Sequence, residues 1–120
     1  MRTLYLAFFL TVSAATVFAQ PINDECNSAT YLANSINWCS QPGEFTNLNA
    51  TPYSGSIPSN TCFLQYENEV WFSFTPQTPA IYIRISGLVN NLGTLQNPGI
   101  GVFSGTCDNL TRVGCNIVSA

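Results

Sequence analysis

The chain has 120 residues, 46% of them hydrophobic and only 8% charged, with no histidine and a formal net charge of −3. An acidic, lysine-free surface repels phosphate backbones and excludes nucleic acid as a partner, and without histidine there is no Ser-His-Asp or Cys-His chemistry. Asn, Ser and Thr carry the polarity beside a high apolar content, so the composition is that of a folded extracellular domain and not of a disordered segment.

Residues 1–19 read as a cleaved secretory signal. Arg2 gives the positive start, the apolar stretch runs from Leu4 to Phe18, and Val17-Phe18-Ala19 places small residues at −3 and −1 before Gln20. The stretch is too diluted by Thr and Ser for a retained membrane span. Removing it leaves residues 20–120 as a single domain, with Arg84 and Arg112 against six carboxylates, a net charge of −4. A domain of that size buries only about two-thirds of its unfolded surface, so its core is thin and staples help.

In chain order, residues 20–25 read as an extended lead-in, and Cys26 to Leu32 as either a short helical turn or a first strand. Residues 40–62 are punctuated by Pro42-Gly43, Pro52, Ser54-Gly55 and Pro58, a loop region holding one strand, Phe45 to Thr51. The clearest strand is Glu69 to Thr75, where Val70, Phe72 and Phe74 alternate with Trp71, Ser73 and Thr75. Pro76 and Pro79 end it. Ile81 to Ser86 follows as a strand with inward isoleucines and outward Tyr82, Arg84 and Ser86. Gly87 to Pro98 is a polar loop, Gly99 to Ser104 a third strand and Thr111 to Cys115 a short fourth. No three-turn helix follows the signal. The expected fold is all-β, an antiparallel β-sandwich or jelly roll held by disulfides.

The five cysteines, Cys26, Cys39, Cys62, Cys107 and Cys115, all lie in the mature chain. In a secreted domain they read as bridges. Cys107 with Cys115 is the expected first pair, because the Asp108-Asn109 turn folds the chain back; so short a loop would add about 2.5 kcal/mol. Cys39 with Cys62 is the second, leaving Cys26 unpaired or bonded to another chain.

Several blocks carry a resemblance. Asn23-Asp24-Glu25-Cys26 is followed by Ala29-Thr30-Tyr31-Leu32, then by Glu69-Val70-Trp71-Phe72-Ser73-Phe74-Thr75. Val102-Phe103-Ser104-Gly105-Thr106-Cys107 and Leu110-Thr111-Arg112-Val113-Gly114-Cys115-Asn116 complete the series. In this order they resemble the cysteine-containing β-sandwich modules of large secreted and surface bacterial proteins, which are similar to pre-peptidase C-terminal domains. The resemblance spans nearly all of residues 22–116. It implies a non-catalytic module for binding or adhesion, possible as a fragment of a larger surface protein. The alternative it implies is an accessory domain of a secreted hydrolase whose catalytic part lies outside this chain. A purely structural surface repeat is the third reading. The family continues past its Cys-Asn step with acidic residues and further strands, whereas here Cys115-Asn116 runs into Ile117-Val118-Ser119-Ala120. The expectation is a partial sandwich, with an uncovered apolar face on Val70, Phe72, Phe74 and the isoleucines, either poorly soluble alone or associating as a homodimer through its free strands.

For ligands, Trp71 and Tyr82 fall on faces opposite the inferred core and together offer a stacking platform for sugar rings, or a contact for protein, at the cell surface. The competing reading is that large residues pack both faces of a sandwich. Asp24, Glu25, Glu67, Glu69 and Asp108 are the candidate calcium ligands, but no Asp-x-Asp-x-Asp loop is present. Without one they read as solvated loop charge, and no cofactor or metal is expected. Glu67 and Glu69 share a strand face but lack the convergence a glycosidase requires. Ser54-Gly55-Ser56 is no nucleophile elbow. Asn49-Ala50-Thr51 and Asn109-Leu110-Thr111 match glycosylation acceptors, relevant only in a eukaryotic secretory route.

A mass measurement on the exported product, before and after reduction, should find Gln20 as the first residue and a shift equal to two bridges. Retention of residues 1–19 would contradict the signal reading.

Overall fold

The computed structural model of the chain describes residues 19–58, 62–63, 66–86, 95 and 98–117; the expected signal, apart from Ala19, and most of the 87–98 loop lie outside them. The protein is a small all-β fold with two disulfides. Its elements are a 3-10 turn Cys26–Ser28 and four strands, β1 Thr30–Leu32, β2 Phe72–Phe74, β3 Gly99–Thr106 and β4 Asn109–Ile117. They form two two-stranded sheets, β1 with β2 and β3 with β4. Among the described residues no helix is long and apolar enough to cross a membrane.

Cys26 to Leu32 contains both alternatives, the turn first and the strand after it. β1 pairs with β2 in parallel, Thr30 opposite Phe72 and Leu32 opposite Phe74, so the expectation of antiparallel pairing throughout is corrected. The ladder begins one residue before β2. Trp71 donates its N–H to the Asn23 carbonyl at 2.8 Å, and its own carbonyl accepts from Thr30 N at 3.0 Å and Asn23 Nδ2 at 3.0 Å. Asn23, lying before the turn, thus extends the edge that β1 presents after it. The expected strand 69–75 shrinks to 72–74 because only these residues find a partner strand.

β3 and β4 form an antiparallel hairpin whose two-residue connection is Cys107-Asp108. Gly105 has φ +107°, and a Cβ there would press on the Asn109 carbonyl oxygen, so the approach to the turn requires glycine. Phe103 faces Arg112 and Val102 faces Gly114, which leaves Val113 as the extra residue of a β-bulge. The bulge resets the alternation of β4. Arg112 opposes Phe103 and Cys115 opposes Gly101. Since positions 101 and 103 share a face, so do Arg112 and Cys115, although three residues apart. On that face Phe63 lies against Gly99 and Gly101; a Cβ would collide with the Phe63 ring at Gly99 and with the Phe103 ring at Gly101.

Two expected strands are absent. Phe45 to Thr51 is a run of turns: Ala50 N donates to the Asn47 carbonyl and Leu48 N to Thr46 Oγ1, while Asn49 has φ 64°, a conformation asparagine tolerates. Ile81 to Ser86 belongs to no strand among the described residues and is exposed throughout. β-branched residues favour a strand only where a neighbouring strand supplies backbone and side-chain partners. The core is correspondingly sparse. Ala50 is the one buried hydrophobic residue among those described, and Asn23 and Asp24 are buried beside it.

Gly105→Ala should destabilise the protein by about 2 kcal/mol, the scale of a strained non-glycine backbone, as measured by urea unfolding with circular dichroism. An unchanged midpoint would show that the hairpin turn does not depend on that conformation.

Candidate functional site

The cysteine network differs from the expected one. Cys26 is joined to Cys107 across 81 residues, Cys62 to Cys115 across 53, and Cys39 is free and exposed. Neither Cys107–Cys115 nor Cys39–Cys62 forms. The reason lies in the hairpin register: Cys107 sits in the connection, whereas Cys115 is opposite Gly101, far down the ladder. Six strand residues from Asn109 to Gly114 at about 3.3 Å each keep those sulfurs well beyond bonding reach. The chain does fold back at the expected place, but as a long hairpin and not a tight loop. Cys26, expected to be odd, holds the hairpin tip against the 3-10 turn.

The polar residues of the Asn23-Asp24-Glu25-Cys26 block do structural work. Asp24 is 7% exposed and accepts from Thr51 N at 2.6 Å and from Thr51 Oγ1 at 2.7 Å. Two residues on, Tyr53 N donates to Glu69 Oε1, and the Tyr53 hydroxyl donates to the Cys107 carbonyl at 2.6 Å. Segment 51–53 is therefore held by two carboxylates and by the hairpin tip. Asp24 was expected as solvated charge in an extended lead-in; burial and paired donors show otherwise. The signal available in the sequence was an acidic residue next to Asn23 and two before Cys26, a pattern that fits a buried polar anchor as well as a loop.

Trp71 and Tyr82 are not brought together in a platform. Trp71 is half-buried, with ring centroids 4.8 Å from Tyr53 and 6.1 Å from Phe103. Its face is thus the packed one, which corrects the expectation that it lies opposite the core. Trp71 Nε1 and Glu69 Oε2 are enclosed there and find no hydrogen-bond partner among the described residues. Tyr82 stands 87% exposed and joins none of the described ring contacts. A second ring cluster forms on the other side of β2, where Phe45 meets Phe72 edge-on at 4.8 Å and Trp38 lies 6.2 Å from Phe45.

Among the described residues no group of three metal-ligating side chains gathers. Glu67 is exposed and Glu69 is engaged by Tyr53, so the two carboxylates serve different surroundings. Among the described residues a groove of about 270 Å³ lies between the Ile81 segment and the hairpin, lined by Ile81, Ile83, Ile100, Val102 and the stretch from Val113 to Asn116, Cys115 included. It runs along the hairpin face opposite Phe63. Ile81, Ile83 and Ile85 stand 43%, 40% and 43% exposed, Val113 68%. Comparison of the chain with protein-family models, with curated proteins and with solved structures finds no match.

Asp24→Ala removes both acceptors used by Thr51 and should cost about 2–3 kcal/mol in chemical denaturation, the range for charge-assisted bonds with their donors left behind. A loss below about 0.5 kcal/mol, the scale of an ordinary surface change, would place Asp24 outside the stabilising network.

Proposed function

We propose that the chain is a secreted, non-catalytic module of the β-sandwich kind, similar to pre-peptidase C-terminal domains, which works by contact with a protein at the cell surface. The observation that carries this reading is the apolar groove beside the hairpin, with Ile81, Ile83 and Val113 open to water. Covering such side chains is favourable by about 25 cal/mol per Å² of apolar area, and contiguous apolar surface rimmed by polar residues marks sites of association. Asn116 supplies polar lining at the groove. Both two-stranded sheets leave room for further strands, as a sandwich demands. The disulfides fit an oxidising compartment. A chain without histidine, whose Asp24 and Glu69 are occupied in holding backbone, supports a binding role over hydrolysis. The separation of Trp71 from Tyr82 favours a protein partner over a carbohydrate one.

The test is retention of the exported protein on the cells that produce it. Ile83→Asp together with Val113→Glu should weaken retention about tenfold, equivalent to 1.4 kcal/mol, with both bridges intact by mass. Sedimentation velocity on the same pair distinguishes a second copy of the chain from another partner. Equal retention of parent and variant would overturn the reading.

A further inference from the structure

The two bridges differ in what surrounds their sulfurs. Cys115 Sγ accepts from Cys62 N at 3.0 Å and lies 3.6 Å from Arg112 Nη1. The hydrogen bonds to this bridge, among the described residues, end on Cys115 Sγ. Among the described residues no hydrogen bond reaches the sulfurs of Cys26 or Cys107; the bonds beside them end on backbone, Tyr53 donating to the Cys107 carbonyl and Ala29 N to the Cys26 carbonyl. The β-bulge is the cause of the difference. In an unbroken strand Arg112 and Cys115 would point to opposite faces; the extra residue Val113 turns them to the same one. Both cysteines of the pair are half-buried and not sealed.

We propose that Cys62 is a site of thiol exchange, attacked by a low-molecular-weight thiol while Cys115 departs. Disulfides open by attack of a thiolate on one sulfur, and the sulfur whose anion is better stabilised leaves faster. The incoming thiolate forms a bond to Cys62 Sγ as the Cys62–Cys115 bond breaks, and the electron pair goes to Cys115 Sγ. A backbone N–H and a guanidinium are already in place to receive that negative charge, the surroundings that favour a thiolate. The step is electron-neutral and leaves a mixed disulfide on Cys62. A second thiolate then attacks the external sulfur, releases Cys62 as a thiolate and completes reduction of the bridge, the two external thiols ending as their own disulfide. Opening frees Phe63 from Gly99 and Gly101, whereas Cys26–Cys107 keeps the hairpin tip on the 3-10 turn. The apolar groove lies on the other face of the same hairpin, so its strands would be loosened without being released.

The experiment uses the oxidised protein with Cys39 first blocked by iodoacetamide, then exposed to reduced glutathione, quenched in acid and labelled with N-ethylmaleimide. Trypsin, cutting after Arg84 and Arg112, puts Cys107 and Cys115 on separate peptides. Cys115 should be labelled about tenfold faster than Cys107, with glutathione located on Cys62 by tandem mass spectrometry. Arg112→Gln, digested with chymotrypsin, should slow the release of Cys115 and leave that of Cys107 unchanged, while Arg112→Lys restores most of the rate. Glutathione found on Cys115, equal release of Cys107, or an unaltered rate in Arg112→Gln would each overturn the proposal.

Discussion

Two covalent links hold together segments that share little else. Cys26–Cys107 fastens the N-terminal turn to the hairpin tip, and Cys62–Cys115 fastens the centre of the chain to the hairpin's second strand. Closing loops of 81 and 53 residues removes enough freedom from the unfolded chain to contribute about 4 kcal/mol each in the chain-entropy model. That is comparable with the whole stability of a typical small domain. The remainder of the described fold offers little in its place, because most large apolar side chains remain partly open to water.

Polar residues occupy the positions where a larger domain would have aliphatic ones. Asn23 continues a strand edge with its amide and its carbonyl, and Asp24 holds Thr51 by two bonds. A buried carboxylate is costly unless its oxygens are matched, and here both are. The arrangement ties three distant stretches, 23–24, 51–53 and 69–71, to one another around the Trp71 ring. Tyr53 connects this centre to the hairpin through the Cys107 carbonyl, next to the bridge from Cys26. The polar clamp and the first disulfide therefore act at the same corner of the molecule.

What could be read from the residues was what depends on near neighbours. The alternation of Ile100 and Val102 around Gly101 identified β3, and the return through Thr111 to Cys115 identified β4, because a hairpin is a local structure. The alternation around Phe72 and Phe74 showed that a strand lies there, but its parallel partner is some forty residues away and leaves no mark in its own pattern, so its ends were misplaced. Ile81 to Ile85 shows the converse: strand-forming residues that belong to no strand among the described residues. Cysteine pairing was illegible since proximity along the chain points to Cys107 and Cys115, while the hairpin register separates them. At the candidate site Trp71 and Tyr82 were expected on one exposed face, but the packing of Trp71 depends on Tyr53 and Phe103, neither of them its sequence neighbour.

Urea unfolding followed by far-ultraviolet circular dichroism, on the oxidised protein and on the same sample reduced and alkylated, tests the covalent constraint most directly. The oxidised form should show one cooperative transition with a β-type spectrum, and the reduced form should have lost both before any urea is added. A reduced protein that keeps the spectrum and unfolds at nearly the same urea concentration would contradict the account.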